Sequence, residues 1–122
     1  MALAQNVMKG GFSAGQARAL NGAIATGLTA AGTTITTALD LAADINAIGT
    51  CAASAGVQLA NTEVGDYQIV YNGGANACNV YPDSSTAQIN QIAVGNPHLL
   101  GTNTCCIYFK ITTTRWLANL SA

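Results

Sequence analysis

One histidine, five carboxylates and four cysteines are the side chains of this 122-residue chain from which acid–base, metal or nucleophilic chemistry would have to be built. His98 is the single histidine, so any histidine-dependent triad or metal site must use it. It follows Pro97 in an apolar neighbourhood and reads as a structural or surface residue. Asp40 and Asp44 would share a face if the turn between them were helical, which resembles a carboxylate pair. Nearby like charges do not by themselves make an acid–base couple, however, and the two are expected to mark an exposed edge. Glu63 and Asp66 flank Gly65 in a turn, where the Asp66 carboxylate is expected to accept from local backbone amides. A calcium site would need six or more oxygen ligands, and no Asp/Asn/Gly loop of that spacing occurs. Gly10-Gly11 and Gly73-Gly74 lack the G-x-x-x-x-G-K pattern of a phosphate loop. The residues assign no enzyme, no metal and no cofactor.

Cys51, Cys78, Cys105 and Cys106 contain no C-x-x-C, and the neighbours Cys105 and Cys106 point to opposite faces if they lie in a strand. They are read as buried thiols acting as small hydrophobes. A disulfide formed in an oxidising medium, joining Cys51 or Cys78 to one of the vicinal pair, stays open as the second reading.

Composition narrows the function classes further. Apolar residues make up 50% of the chain, enough for a real core in one domain. Charged residues make up only 7%, against about 25% in an ordinary soluble protein. A polar coat of Thr, Asn, Ser and Gln suits a subunit largely covered by neighbours, since exposed charge is what keeps monomers apart. Four scattered cations, Lys9, Arg18, Lys110 and Arg115, give no electrostatic footprint for nucleic acid. No stretch approaches the roughly 20 unbroken apolar residues that span a bilayer. The first residues lack a basic region followed by an apolar core, so synthesis and folding in a cytoplasm are expected.

The elements that must position these groups are short strands. The Ala/Gly-rich segment 1–32 is expected to be an arm, extended or with a short helix that Ser13 and Gln16 would cap. Residues 33–122 are expected to form the β domain. Its centre is the stretch Glu63–Pro82, in which Tyr67–Tyr71 and Ala77–Tyr81 flank Asn72-Gly73-Gly74-Ala75-Asn76. The glycines predict a tight reversal through positive φ, and hence a β-hairpin. Gly56–Leu59 is expected to pair with it. The segment Leu39–Asp44 reads as a helical turn or an edge strand, and Ile45–Cys51 as a strand. Thr104–Thr112 is the strongest strand, with Cys105, Ile107, Phe109 and Ile111 on an apolar face and Cys106, Tyr108 and Lys110 running out toward solvent. Trp116–Leu120 returns as the last strand, with Trp116 as a core anchor. Roughly seven to nine such strands, at turn spacings of about 8 to 12 residues, predict an all-β fold: a small antiparallel β-sandwich or β-barrel with an extended N-terminal arm.

The run GLTAAGTT, followed by ADINAIGTCAASAGVQLAN, then GDYQIVYNGGANACNVYP and a closing strand with RW, resembles a family of small virion proteins of tailed bacteriophages. In that family a GD-x-x-x-V-x-N-x-GAN-x-x-x-VYP core is preceded by a G-V-x-L strand and followed by an isoleucine-asparagine pair, here Ile89-Asn90. The resemblance covers Ala23 to Trp116, leaves the arm uncovered, and does not extend to the four cysteines. It implies a capsid decoration or cement protein on the virion surface, made in the host cytoplasm, with the major capsid protein and further copies of itself, as a homotrimer, for partners. On that reading Val7, Met8 and Phe12 of the arm contact the capsid, and Tyr67, Tyr71, Tyr81 and Tyr108 are the candidate subunit contacts, tyrosine being enriched at interfaces. The alternative is a tail, fibre or baseplate component that binds a host surface.

Overall fold

The computed structural model describes residues 23–120. Ten strands follow one another: β1 (Ile24–Thr29), β2 (Leu39–Asp40), β3 (Ile45–Thr50), β4 (Gly56–Gln58), β5 (Tyr67–Asn72), β6 (Cys78–Tyr81), β7 (Gln88–Ile89), β8 (His98–Leu100), β9 (Thr104–Thr112) and β10 (Arg115–Leu120). There is no helix among the described residues, so the all-β expectation holds. One sheet has six strands in the order β1-β3-β5-β9-β10-β7, and the other has four in the order β2-β4-β6-β8.

The first six strands alternate between the sheets, so the backbone winds as a coil. Successive turns stack in parallel, in the registers Ile24↔Ile45↔Ile69 on one side and Leu39↔Val57↔Val80 on the other. Only then does the pattern change. β8 closes the small sheet antiparallel to β6, and β9 and β10 extend the large one as an antiparallel hairpin beside β5. The expected arrangement of antiparallel strands is therefore corrected: β1, β3 and β5, β2, β4 and β6, and the β7–β10 pair are all joined in parallel.

The hairpin expected over Tyr67–Tyr81 is also corrected. β5 pairs with β3 and β9, whereas β6 pairs with β4 and β8, so the two strands lie in different sheets. The Asn-Gly-Gly-Ala-Asn stretch is a corner rather than a reversal. Asn72 Nδ2 donates to the carbonyls of Asn76 and Leu100, its Oδ1 accepts from Gly74 N, and Asn76 Nδ2 donates to Cys51 O on the preceding turn. Gly74 is there for close approach: a Cβ on it would lie 2.7 Å from Cys51 N. Neither Gly73 nor Gly74 has positive φ. Gly56, in β4, serves the same purpose, since its Cβ would meet Asn79 O of the next turn at 2.8 Å.

The core between the sheets contains Leu41, Ile48, Val57, Val70, Val80, Ile89, Leu100, Cys106, Tyr108 and Trp116. Gly56–Leu59 does pair with the segment that follows, through β4 and β6, and Trp116 is fully buried, as its anchor role required. Asn90, next to Ile89, takes a left-handed conformation (φ 53) and its Oδ1 accepts from Ala118 N, tying the turn after β7 to the last strand.

Candidate functional site

The alternation of β9 is inverted relative to the reading of its apolar face, and β5 likewise turns its more polar set inward. In β5 the buried residues are Gln68, Val70 and Asn72, while Tyr67, Ile69 and Tyr71 face outward. In β9 the buried residues are Cys106, Tyr108 and Lys110, so the strongly apolar set Cys105, Ile107, Phe109 and Ile111 lies on the outside. The reason lies with the polar members of the inner faces, each of which finds partners only inside. Gln68 Nε2 donates to Ala43 O while its Oε1 accepts from Ala60 N. Lys110 Nζ lies 2.6 Å from Asp83 Oδ2 and 2.6 Å from Thr62 O, with Asn61 Oδ1 at 3.5 Å. Trp116 Nε1 donates to the other Asp83 oxygen at 3.1 Å. A buried ammonium with three acceptors is satisfied, and a buried carboxylate with two donors likewise. Lys110 thus does not run out to solvent as its place at the polar end of the strand suggested.

The outcome is an exterior of the six-stranded sheet covered with apolar side chains. Register aligns them in rows: Ile24, Ile45, Ile69 and Ile107 run across four strands, Tyr67, Phe109 and Leu117 across three, and Ala47, Tyr71 and Cys105 form a third row. Ile24 is 67% exposed, and Tyr71, Phe109, Ile111 and Leu117 are also open to solvent. The Tyr67 and Phe109 rings are 6.3 Å apart between centroids. No ionised side chain occurs in these rows. Contiguous exposed apolar surface of this kind is uncommon on monomers and marks places where something else is bound.

The residues expected at interfaces divide accordingly. Tyr67 and Tyr71 lie on this face, and the Tyr71 hydroxyl donates to Asn103 Oδ1 at 3.4 Å. Tyr81 and Tyr108 are instead inside the chain, which corrects their reading as exposed contacts. The Tyr81 hydroxyl donates to Thr33 O, bridging to the first turn of the coil, and the Tyr108 hydroxyl lies 2.8 Å from His98 Nδ1. Val7, Met8 and Phe12 lie outside the described residues. The residues that sequence reasoning passed over are Phe109, Ile107, Ile111 and Leu117 as surface and Asp83 as the partner of Lys110. The only signal for them was a lysine set within a strand otherwise apolar on both faces.

The groups that could do chemistry are engaged in structure. His98 packs edge-on against the Tyr108 ring, and burial holds its imidazole below the ordinary histidine range. Burial, reinforced by the nearby Cys51, pushes the Cys78 thiol up to about 12; burial also raises Cys106 and the Tyr108 hydroxyl. Cys51, Cys78 and Cys106 are buried thiols, as read. Asp66 Oδ2 accepts from Glu63 N, the local bond expected of it. Asp44 Oδ2 accepts from Ala23 N, fastening the start of the described chain. Asp40 lies in the two-residue strand β2, so the helical carboxylate pair with Asp44 does not form. Two clefts of about 260 and 300 Å³ flank β2, one walled by Ala25, Leu28, Leu41 and Asn46, the other by Asp40, Gln58, Asn61 and Asp83. Neither brings a nucleophile to a base. Among the described residues no three His, Cys, Asp or Glu side chains are grouped to hold a metal ion, and no helix is long and apolar enough to cross a membrane.

No protein-family model, curated protein or solved structure matches the chain.

Proposed function

We propose that this protein is a structural subunit of a bacteriophage virion, a capsid decoration (cement) protein that binds the outer shell and stabilises it by bridging capsomers. The observation that carries the reading is the uncharged apolar exterior of the six-stranded sheet, a surface that water disfavours and that assembly would cover. The buried Lys110–Asp83 pair supports it, because ionised groups already scarce in the chain are spent on holding the fold together. The resemblance of GDYQIVYNGGANACNVYP and its flanks to small virion proteins supplies the setting.

In this reading the partners are the major capsid protein and further copies of the chain, as a homotrimer, with Val7, Met8 and Phe12 contacting the shell and Tyr67 and Tyr71 at subunit contacts. The fold is a short β-solenoid of three turns capped by antiparallel strands, in place of a sandwich or barrel. Each turn of the coil is hydrogen-bonded to the next through parallel pairing. Interfaces of roughly 1,200 to 2,000 Å² are enough for stable attachment, and several copies on one shell add avidity. No catalytic role is assigned.

Gel densitometry of purified virions tests the proposal. Hundreds of copies per particle, together with loss of shell stability when the protein is stripped, are expected. Three to twelve copies per particle would overturn it and turn the reading to a tail, fibre or baseplate component.

A further inference from the structure

We infer that the outward face of the six-stranded sheet, centred on Ile69, Ile107 and Phe109, is the surface through which copies of this chain pack against one another. The inference deepens the assembly reading above by naming the surface and its occupant, and it does not depend on where on a virion the protein sits.

Size comes first. Five strands about 4.8 Å apart, each offering outward residues over about 17 Å, give a plan of roughly 20 by 17 Å; with side-chain relief that is on the order of 600 Å² of accessible surface. A specific interface needs roughly 600 to 1,000 Å² from each partner, so this face alone reaches the lower bound. It is also continuous. The isoleucine row Ile24–Ile45–Ile69–Ile107 and the Tyr67–Phe109–Leu117 row lie side by side, and the first ends on β10 at the exposed, uncharged Asn119.

Charge decides the occupant. The rows hold no ionised group, so identical faces meet without like-charge repulsion, whereas nucleic acid or a charged headgroup gains nothing there. An uncharged apolar face is matched by another such face, and every copy of this chain carries one. Closed cyclic assemblies are the usual outcome for such self-complementary patches. The rim has the complementary polar character: Asp66, before β5, and Arg115, opening β10, lie at the same end of the sheet with opposite signs. Lys110–Asp83 is the one ion pair among the described residues, so neither rim charge meets an opposite charge there, although Asp66 Oδ2 accepts from Glu63 N. An apolar centre with a charged rim is how specific interfaces are built.

The test uses the full chain, purified without other virion components, in size-exclusion chromatography with light scattering across a hundredfold dilution. Wild type is expected as one closed oligomer. Combining Ile107→Asp with Phe109→Lys is expected to weaken self-association at least tenfold while strand circular dichroism is kept. Leu99→Asp, on β8 in the other sheet and 63% exposed, is expected to leave assembly unchanged. Because the double variant risks misfolding, a photo-crosslinking side chain at position 109 provides a second readout, expected to yield covalent multimers that the same probe at position 99 does not. A wild-type chain that is monomeric throughout, or oligomers that form without crosslinks from position 109, would overturn the inference. So would a monomer whose position 109 crosslinks only to the capsid protein in assembled particles. Oligomers crosslinked through 109 but absent from virions would sustain the inference and sink the cement-protein reading.

Discussion

Lys110 Nζ lies 2.6 Å from Asp83 Oδ2, with the two side chains 5% and 4% exposed, so a strand from the antiparallel cap is ionically bonded to the segment that leaves the coil. The pair is further held by Thr62 O on the ammonium and by the Trp116 indole on the carboxylate. The Lys110 ammonium also lies 5.8 Å from the centroid of the Trp116 ring. Coil and cap are thereby made one cooperative unit.

Removing one member of this pair leaves an uncompensated charge in the core. Lys110→Met and Asp83→Leu are each expected to destabilise the fold by about 3 to 5 kcal/mol, whereas the two together are expected to cost less than the single changes summed. Chemical denaturation of the four proteins measures the coupling. Additive losses would show that the two residues act separately.

The corner at Gly74 is packed against backbone, so its tolerance differs from that of an open glycine. Gly74→Ala places a methyl group 2.7 Å from Cys51 N and 2.8 Å from Cys51 Cβ, and a loss of about 1 to 3 kcal/mol is expected from the forced shift. Gly101→Ala, whose Cβ would meet Thr104 at 3.9 Å, is expected to be near neutral. Thermal melts of the pair decide it, and equal melting temperatures would refute the close-approach account.

Stability is expected to fall at alkaline pH because of Cys78. Its thiol is held up at about 12 in the fold against an ordinary value of 9.0. The unfolded chain therefore loses this proton first, and the stabilisation is complete below pH 9.0 and is lost as pH rises toward about 12. The greatest slope from one such group is about 1.4 kcal/mol per pH unit. Urea denaturation between pH 8 and 11 should show the decline, flattened in Cys78→Ala, whose baseline stability is lower from the cavity left behind.

His98 gives the opposite dependence on the acid side. Its folded value is depressed by burial, so the unfolded chain binds the proton more readily, and stability present above about pH 6.5 is lost as pH falls below that value. Tyr108→Phe removes the hydroxyl 2.8 Å from Nδ1 and is expected to cost about 0.5 to 1.5 kcal/mol at neutral pH. His98→Gln should remove the acid-side slope between pH 7 and 5; an unchanged slope would assign it to carboxylates instead.

Much of the architecture was legible in the residues. The strands Thr104–Thr112 and Ile45–Thr50, the Trp116 anchor, the partnership of Gly56–Gln58 with the next segment, and the local bond of Asp66 all follow from short-range rules of alternation, turn chemistry and side-chain size. These rules act over a few residues and are encoded where they act. Which face of a strand is buried is a different kind of fact. Period-two alternation separates Tyr67, Ile69 and Tyr71 from Gln68, Val70 and Asn72 but does not say which set is inside. Hydrophobicity alone favours the first set, yet the second is buried because Ala43 O, Ala60 N, Asn76 O and Leu100 O wait there for amide side chains.

The Asn-Gly-Gly-Ala-Asn segment shows the same division. Its residue types specify a change of direction, but a hairpin and a corner draw on the same types. Cys51, more than twenty residues earlier, settles it, since the corner stacks on that turn and Asn76 bonds its carbonyl. The sequence by itself therefore determined the strands, the breaks between them and a composition poor in charge. Tertiary structure alone decided parallel stacking, the burial of Lys110 with Asp83 and the outward placement of the isoleucine row. The physical reason is that hydrogen bonds and ion pairs between distant residues outweigh the local preference for burying the more apolar face.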